Sequence, residues 1–359
     1  MHKLGLIQLG CGTIGRELIS QIIGGGNNLP LEYIGLFRSH QSLCRAGGVP
    51  KRVLSDFCKV ESDSSQWTLI KNGDVNSEIM GLIRGYSGPF LLVDVTASTQ
   101  TQSIFQDVLA AGGGVVSANK IPFTSLMENW DGWFGASNYL DTRLRIETTV
   151  GAGLPILRTI GGLLETGDQI DSMKGCLSGT LSFLFHRMGE GDSFSSALAA
   201  AQSKGMTEPD PREDLSGMDV ARKVLILSRI AGMHFELEDV EVENLIPSSY
   251  SRLSADEFQS RSNELDQGFD NLVRAAKSRG KKLCYIGTVE DGKLRVGMEE
   301  VDLDSSFGTL KGSENLCVIQ STRYKEHLII RGPGAGPEVT ASGVFHDILD
   351  LSRILQGSE

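Results

Sequence analysis

A strand-length apolar run, Leu4 to Leu9 (LGLIQL), leads directly into Gly10-Cys11-Gly12-Thr13-Ile14-Gly15, and a helical pattern follows from Arg16 to Ile23. Strand, G-x-G-x-x-G and helix in that order constrain the chain more than any other feature, because the flanks give the glycines a dinucleotide-binding context. The first glycine permits a tight turn, the second lets a pyrophosphate approach the backbone, and the third lets helix and strand pack closely. The helix N-terminus then offers free N–H groups and a positive dipole end to the anion. Leu31 to Phe37 (LEYIGLF), Phe90 to Val95 (FLLVDV) and Gly114 to Ser117 (GVVS) read as further strands, the last two as buried parallel strands.

The residue facing the adenosine ribose falls at the end of the second strand, about 20 residues beyond the glycines. Arg38-Ser39-His40 stands there, with no acid. An acid binds the ribose 2′-hydroxyl and repels a 2′-phosphate, whereas an arginine does the reverse, so NADP is favoured over NAD. Ligands sit at the carboxyl ends of such strands, which here carry Asp94-Val95-Thr96-Ala97-Ser98 and Ala118-Asn119-Lys120.

Composition narrows the alternatives. At roughly 150 residues per domain, 359 residues make two or three domains. A net charge of −11 and the lack of a basic stripe argue against nucleic acid as a partner. No apolar run reaches the roughly 18–20 residues that span a bilayer, and Met1-His2-Lys3 leads straight into the first strand without a leader, so a cytoplasmic protein is expected. Six scattered cysteines without a C-x-x-C pair, and histidines without metal spacing, fit reduced thiols and no zinc site. Glycine is in excess, 43 residues in all. Beyond the motif, Gly24 to Gly26, Gly112 to Gly114 and Gly161-Gly162 read as turns.

Three segments of the middle region carry chemistry. Arg145 to Pro155 (RIETTVGAGLP) ends a strand in a turn that is either merely tight or a place where carbonyls converge on a monovalent cation. Gly175 to Phe185 (GCLSGTLSFLF) passes from strand to helix after Ser178-Gly179-Thr180, and that helix N-terminus suits a carboxylate. Glu208-Pro209-Asp210-Pro211 reads as a stiff extended loop, because a residue before proline avoids the helical region. A helix beginning near Ser216 follows, with Val220, Val224 and Leu227 inward. Asp219 and Lys223 share one face of it at a spacing of four. In the absence of zinc ligands or a catalytic histidine, Lys223 and Lys120 are left as proton carriers, with Asp219 orienting Lys223. Glu208 is placed to hold a substrate ammonium.

Met206 to Lys223 (MTEPDPREDLSGMDVARK), with CLSGTLSF before it and TVGAGLP earlier, resembles the homoserine dehydrogenase family. The resemblance runs from the Gly10 motif to Gly332-Pro333-Gly334-Ala335-Gly336. It implies reversible reduction of L-aspartate 4-semialdehyde to L-homoserine with NADPH or NADH, on the route to threonine, methionine and isoleucine. Position by position it makes Lys223 the proton donor, Lys120 a second active-site lysine, and Glu208 and Asp219 substrate-binding acids. Asp214, Thr180 and Gly179 fall near the substrate. Gly10, Gly12, Thr13, Ile14, Gly15, Thr96, Lys120, Gly205 and Gly336 fall on the cofactor side, together with the Arg38 already assigned there. Glu147, Val150, Ala152 and Leu154 match backbone ligands for a monovalent cation, usually sodium, and the resemblance thereby interprets that turn.

The expected fold class is α/β: a Rossmann-like domain over residues 1–140, completed by 338–359 with a last helix from Gly343 to Leu355, and an α+β catalytic and dimerisation domain over 141–337. Strands near Lys282 to Gly287 and His327 to Arg331 would serve a homodimer sheet. The aspartate kinase half of bifunctional relatives and an ACT-type regulatory domain are both missing from this sequence, so feedback inhibition by threonine is not expected. The polar stretch Glu61 to Ser65 reads as a changed loop. Two rivals remain: a related semialdehyde dehydrogenase, which would need Cys176 as nucleophile, and an inactive dinucleotide-binding sensor.

Overall fold

The computed structural model describes residues 3–25, 29–59, 66–70, 74–135 and 137–357. Met1, His2, Gly26 and the stretch 61–65 lie outside these. The chain forms two units, Met1–Gly153 with Gly336–Glu359, and Leu154–Ala335.

The first unit is built on a seven-stranded sheet ordered β4-β3-β2-β1-β5-β6-β7. Its strands are β1 (Leu4–Leu9), β2 (Leu31–Arg38), β3 (Gln41–Cys44), β4 (Thr68–Leu69), β5 (Phe90–Asp94), β6 (Gly114–Ser117) and β7 (Leu144–Arg145). β1 pairs in parallel with β2 and β5, and β6 with β5 and β7, whereas β3 and β4 turn back antiparallel. Every residue of β1, β5 and β6 is buried, as both faces of such a strand must be. The strand order reverses at β1, between β2 and β5, which is where ligands bind in open α/β sheets. Five helices accompany the sheet: α1 (Thr13–Gly24), α2 (Lys51–Cys58), α3 (Val75–Arg84), α4 (Gln102–Ala110) and α5 (Met127–Phe134). β7 explains why this unit runs past residue 140: it adds to β6 and carries the boundary to Gly153.

The C-terminal helix (Pro337–Gln356) belongs to the same unit and is longer than the Gly343–Leu355 segment expected. Its Val344, Ile348 and Leu351 share a core with Leu4, Leu6, Leu18 and Ile19. Each fully buried side chain of this size adds about 1.5–3 kcal/mol of burial, so this helix is structural to the nucleotide fold.

The second unit starts with α6 (Ile156–Glu165), β8 (Ile170–Cys176), α7 (Gly179–Glu190), α8 (Phe194–Ser203), α9 (Pro211–Leu215) and α10 (Met218–Ile230). It continues with β9 (Val240–Val242), α11 (Ala255–Arg261), α12 (Asp266–Ser278), β10 (Lys281–Glu290), β11 (Lys293–Asp302), β12 (Glu314–Ser321) and β13 (Leu328–Pro333). The sheet order is β13-β12-β8-β10-β11-β9. Asp291 and Gly292, both at positive φ, make the two-residue turn of the β10–β11 hairpin. Two sequence expectations fail here. Gly161 and Gly162 lie inside α6 rather than in a turn, because tertiary packing overrides the modest helix penalty of glycine. The extended loop also ends earlier than expected: Asp210 caps α9, accepting from Arg212 N at 3.0 Å, and Pro211 takes the first helical position, where its fixed φ is favourable.

α10 lies against β10 and β11. The approach is close because β10 carries glycine at 287: a Cβ there would collide with Cγ2 of Val224 and meet Cγ1 of Val220 at 3.2 Å. A β-branched helical side chain has little freedom to give way. Gly287→Ala should therefore destabilise the protein by about 1–3 kcal/mol through overpacking. The measurement is a lower denaturant midpoint at unchanged slope; an unshifted midpoint would show that α10 has slack.

Candidate active site

In the first unit the glycine motif has the geometry of a phosphate cradle. Gly10 has φ +95°, and a Cβ on it would sit 2.8 Å from Val95 O. A Cβ on Gly15 would run into Gly10 O, so the helix can start this close to the loop only with glycine there. A Cβ on Gly12 would instead meet nothing within 4 Å. Gly12 is the N-cap of α1 and no side chain caps the helix, so Thr13 and Ile14 open it beneath an unfilled space. These are the features a pyrophosphate needs, and the residues fit the dinucleotide. Arg38 closes β2 with its guanidinium carbon 4.1 Å from the Trp67 ring centroid.

A side chain missed at the sequence level holds the loop. Gln8 is the one polar residue in a buried apolar strand, and it donates through Nε2 to Gly10 O (2.8 Å) and Gly15 O (3.1 Å). Tyr33 Oη donates to its Oε1 at 2.9 Å. Both polar ends of a buried amide are thus satisfied by the loop and the neighbouring strand.

The carboxyl ends of β5 and β6 are joined by a second buried network. Asp94 Oδ1 accepts from Thr96 N (2.9 Å) and Thr96 Oγ1 (2.7 Å). Asn119 Nδ2 lies 3.1 Å from Asp94 Oδ2 and 2.8 Å from Ser98 O, while Asn119 Oδ1 accepts from Ile121 N at 3.1 Å. Thr96 and Lys120 are therefore presented from a loop pair pinned by Asp94 and Asn119. Gly336, at φ +124°, caps the C-terminal helix of this unit.

The turn after β7 also belongs to the first unit up to Gly153. Ala152 has φ +53°, one of two described non-glycine residues at positive φ, and Gly151 beside it has φ +77°. Such a conformation stores about 1–3 kcal/mol of strain and calls for a function. Thr148 Oγ1 is buried there without a hydrogen-bond partner. Glu147 O accepts from Val150 N at 3.3 Å, and Leu154 O accepts from Ile156 N at 2.9 Å. A carbonyl has two lone pairs, so Leu154 O keeps acceptor capacity for a cation. Strain and an orphaned oxygen fit the expected cation loop; Leu154 itself begins the second unit.

The second unit gathers the residues expected around the substrate. Lys223 Nζ donates to Leu177 O at 2.6 Å and pairs with Asp219 Oδ2 at 2.7 Å. Leu177 joins β8 to α7, so the lysine is fixed between two elements. Thr180 Oγ1, on the first turn of α7, lies 2.6 Å from Met206 O and also beside the Asp214 carboxyl. Asp214 Oδ2 accepts from Glu208 N at 2.9 Å. Glu208 itself is exposed, and among the described residues its carboxylate has no hydrogen-bond or ion-pair partner. Gly179 opens α7, with Ser178 Oγ accepting from Leu181 N at 3.2 Å. Gly205, at φ +64°, sits in the second unit between α8 and α9, on the Glu208 loop. Cys176 is buried, and its neighbour Cys284 together with burial holds its thiol well above the usual range. That is the opposite of what a nucleophilic cysteine needs.

Burial, and then the charges of Glu208 and Asp219, raise the Asp214 pKa above its ordinary 3.8. An acid with a raised folded-state pKa costs stability once pH exceeds 3.8, fully so above the folded value, and costs nothing well below 3.8, where both states are protonated. Asp214→Asn keeps an oxygen to accept from Glu208 N. It should raise the melting temperature at neutral pH, with the gain shrinking as pH falls toward 3.8. A gain independent of pH would assign the effect to packing.

Two family models match the chain: homoserine dehydrogenase over residues 155–349, and the NAD-binding domain of homoserine dehydrogenase over residues 10–131. A homoserine dehydrogenase of Paracoccidioides brasiliensis is 36% identical, with 97% of each chain covered. A bifunctional aspartokinase/homoserine dehydrogenase of Zea mays is 37% identical over 97% of this chain, which spans 38% of that protein's length. A hyperthermophilic archaeal homoserine dehydrogenase, solved in complex with NADPH, shares the fold at a TM-score of 0.72 and 23% identity, covering 97% of both chains. The glycine cradle of the first unit lies within the one match and the Lys223–Asp219 pair of the second within the other, and the chain belongs to the homoserine dehydrogenase family of oxidoreductases.

Proposed function

We propose that the chain interconverts L-aspartate 4-semialdehyde and L-homoserine, using NADP in preference to NAD, in the cytoplasm and on the route to threonine, methionine and isoleucine. The observation that carries the reading is the cluster built on α10: a buried lysine held by a carboxylate and a carbonyl, with two further acids, Asp214 and Glu208, close to that carboxylate. A bound nicotinamide dinucleotide supplies hydride exchange at the carbonyl carbon, and the remaining chemistry falls to side chains. Lys223 gives its proton to the forming alkoxide, and Asp219 fixes the direction of Nζ. Glu208 takes the substrate ammonium, for which its unpaired carboxylate is suited. Asp214 and Thr180 shape the same pocket wall, with Gly179 at the head of α7.

On the cofactor side Gly10, Gly12, Thr13, Ile14 and Gly15 receive the pyrophosphate and Arg38 the ribose end. Thr96 and Lys120 line the nicotinamide end, and Gly205 and Gly336 complete the cofactor contacts. Carbonyls of Glu147, Val150, Ala152 and Leu154 would hold a sodium ion, whose coordination offsets the strain that Ala152 keeps at positive φ. Two copies associate through the second unit's sheet; β13, an edge strand with Ile329 51% exposed, is the support for this. No described helix is long and apolar enough to cross a membrane.

Purified protein with NADP and L-homoserine should generate reduced nicotinamide, read from its near-ultraviolet absorbance. No turnover at neutral or alkaline pH would sink the reaction. Lys223→Ala should lower kcat by roughly 10²–10⁴-fold, the scale of losing a general acid. Retention of most of the kcat would take Lys223 out of that role.

A further inference from the structure

The ribose end of the first unit holds a second arginine. Arg16 stands directly after the last motif glycine, in the first turns of α1, and Arg38 ends β2. Gly10 N donates to Phe37 O at 3.0 Å and ties the two segments together. Each guanidinium lies over an aromatic ring: Arg16 Cζ is 5.3 Å from the Phe57 centroid and Arg38 Cζ 4.1 Å from that of Trp67. The two rings meet at 5.3 Å with their planes 49° apart. The result is an aromatic wall with one cation on each ring.

Among the described residues neither cation has an anion. Among the described residues no carboxylate forms an ion pair with Arg16 or Arg38, and Arg16 Nε is buried without a hydrogen-bond partner. The thiol between them in the motif, Cys11, donates to Phe37 O at 3.4 Å. Burial pushes that thiol up to about 12 against the pull of Arg38 and Arg16, so it stays neutral and offers no countercharge. A half-desolvated guanidinium without an acceptor is an unfavourable arrangement unless a ligand completes it.

We propose that Arg16 and Arg38 together form the subsite for the 2′-phosphate of NADP, with Arg16 a second specificity-determining residue and the Phe57–Trp67 wall holding both guanidiniums for it. This rests on the reading of the first unit as an NADP site and deepens it. A phosphate monoester presents three oxygens to two planar forks, whereas a free ribose hydroxyl cannot replace the missing anion for either. Arg16 therefore discriminates between cofactors without taking part in hydride transfer.

Calorimetric titration with 2′,5′-ADP and 5′-AMP tests this apart from turnover. The wild type should bind 2′,5′-ADP more tightly. Arg16→Met keeps the stem on Phe57 but removes the charge; it should weaken 2′,5′-ADP by about tenfold or more while changing 5′-AMP less than about twofold. Arg16→Lys should recover part of the loss, and Arg38→Gln should show the same selective pattern. Equal loss of both ligands in Arg16→Met would make the residue structural and overturn the proposal, as would a wild type that binds the two alike. Arg16-dependent discrimination in a protein that does not turn over homoserine would uphold the subsite and refute the reaction.

Discussion

Close approach of backbone to its neighbours, possible only where no Cβ intervenes, is the constraint on which the functional groups of each unit depend. In the first unit it is Gly15 against Gly10 O, which brings the N-terminus of α1 onto the end of β1. In the second it is Gly287 beneath Val224, and Gly217 beneath the hydroxyl of Tyr285, which together seat α10 and its two charged residues. Neither contact binds anything. Each sets the height of a helix above a sheet, and the functional groups follow from that height.

Buried polar side chains then convert position into orientation. Gln8 holds the glycine loop from below, and Asp94 with Asn119 ties Thr96 and Lys120 to adjacent strand ends. Every donor and acceptor in such a network must be paired, because an unpaired one in this surrounding costs about 1–3 kcal/mol. The networks therefore tolerate few alternative arrangements. Lys223 obeys the same rule with a charge: carbonyl and carboxylate fix it from two directions.

What was legible in the sequence follows from range. β1, the glycine motif and α1 are contiguous, so periodicity and turn chemistry found them; Asp219 and Lys223 are one helical turn apart, so their pairing was visible too. Glu208 and Asp214 were recognisable as site acids, but the bond from Glu208 N to Asp214 was not, because it depends on α9 starting at Pro211. Leu177 O as partner of Lys223, and Trp67 beneath Arg38, join residues far apart in the chain and leave no local pattern. Gln8 does leave one, since a lone amide in an apolar strand marks a polar task. Gly161 and Gly162 misled because the helix that contains them is stabilised by what packs on it.

The discontinuity of the first unit has a consequence for how the molecule is made. Its core includes Val344, Ile348 and Leu351, which lie beyond the whole of the second unit in the chain. A ribosome delivers the whole of Leu154–Ala335 while the nucleotide-binding core still lacks one wall. The helix that closes this core is thus the last part of that core to emerge. The glycine loop at the start of the chain must wait for it before its strand is packed on both sides.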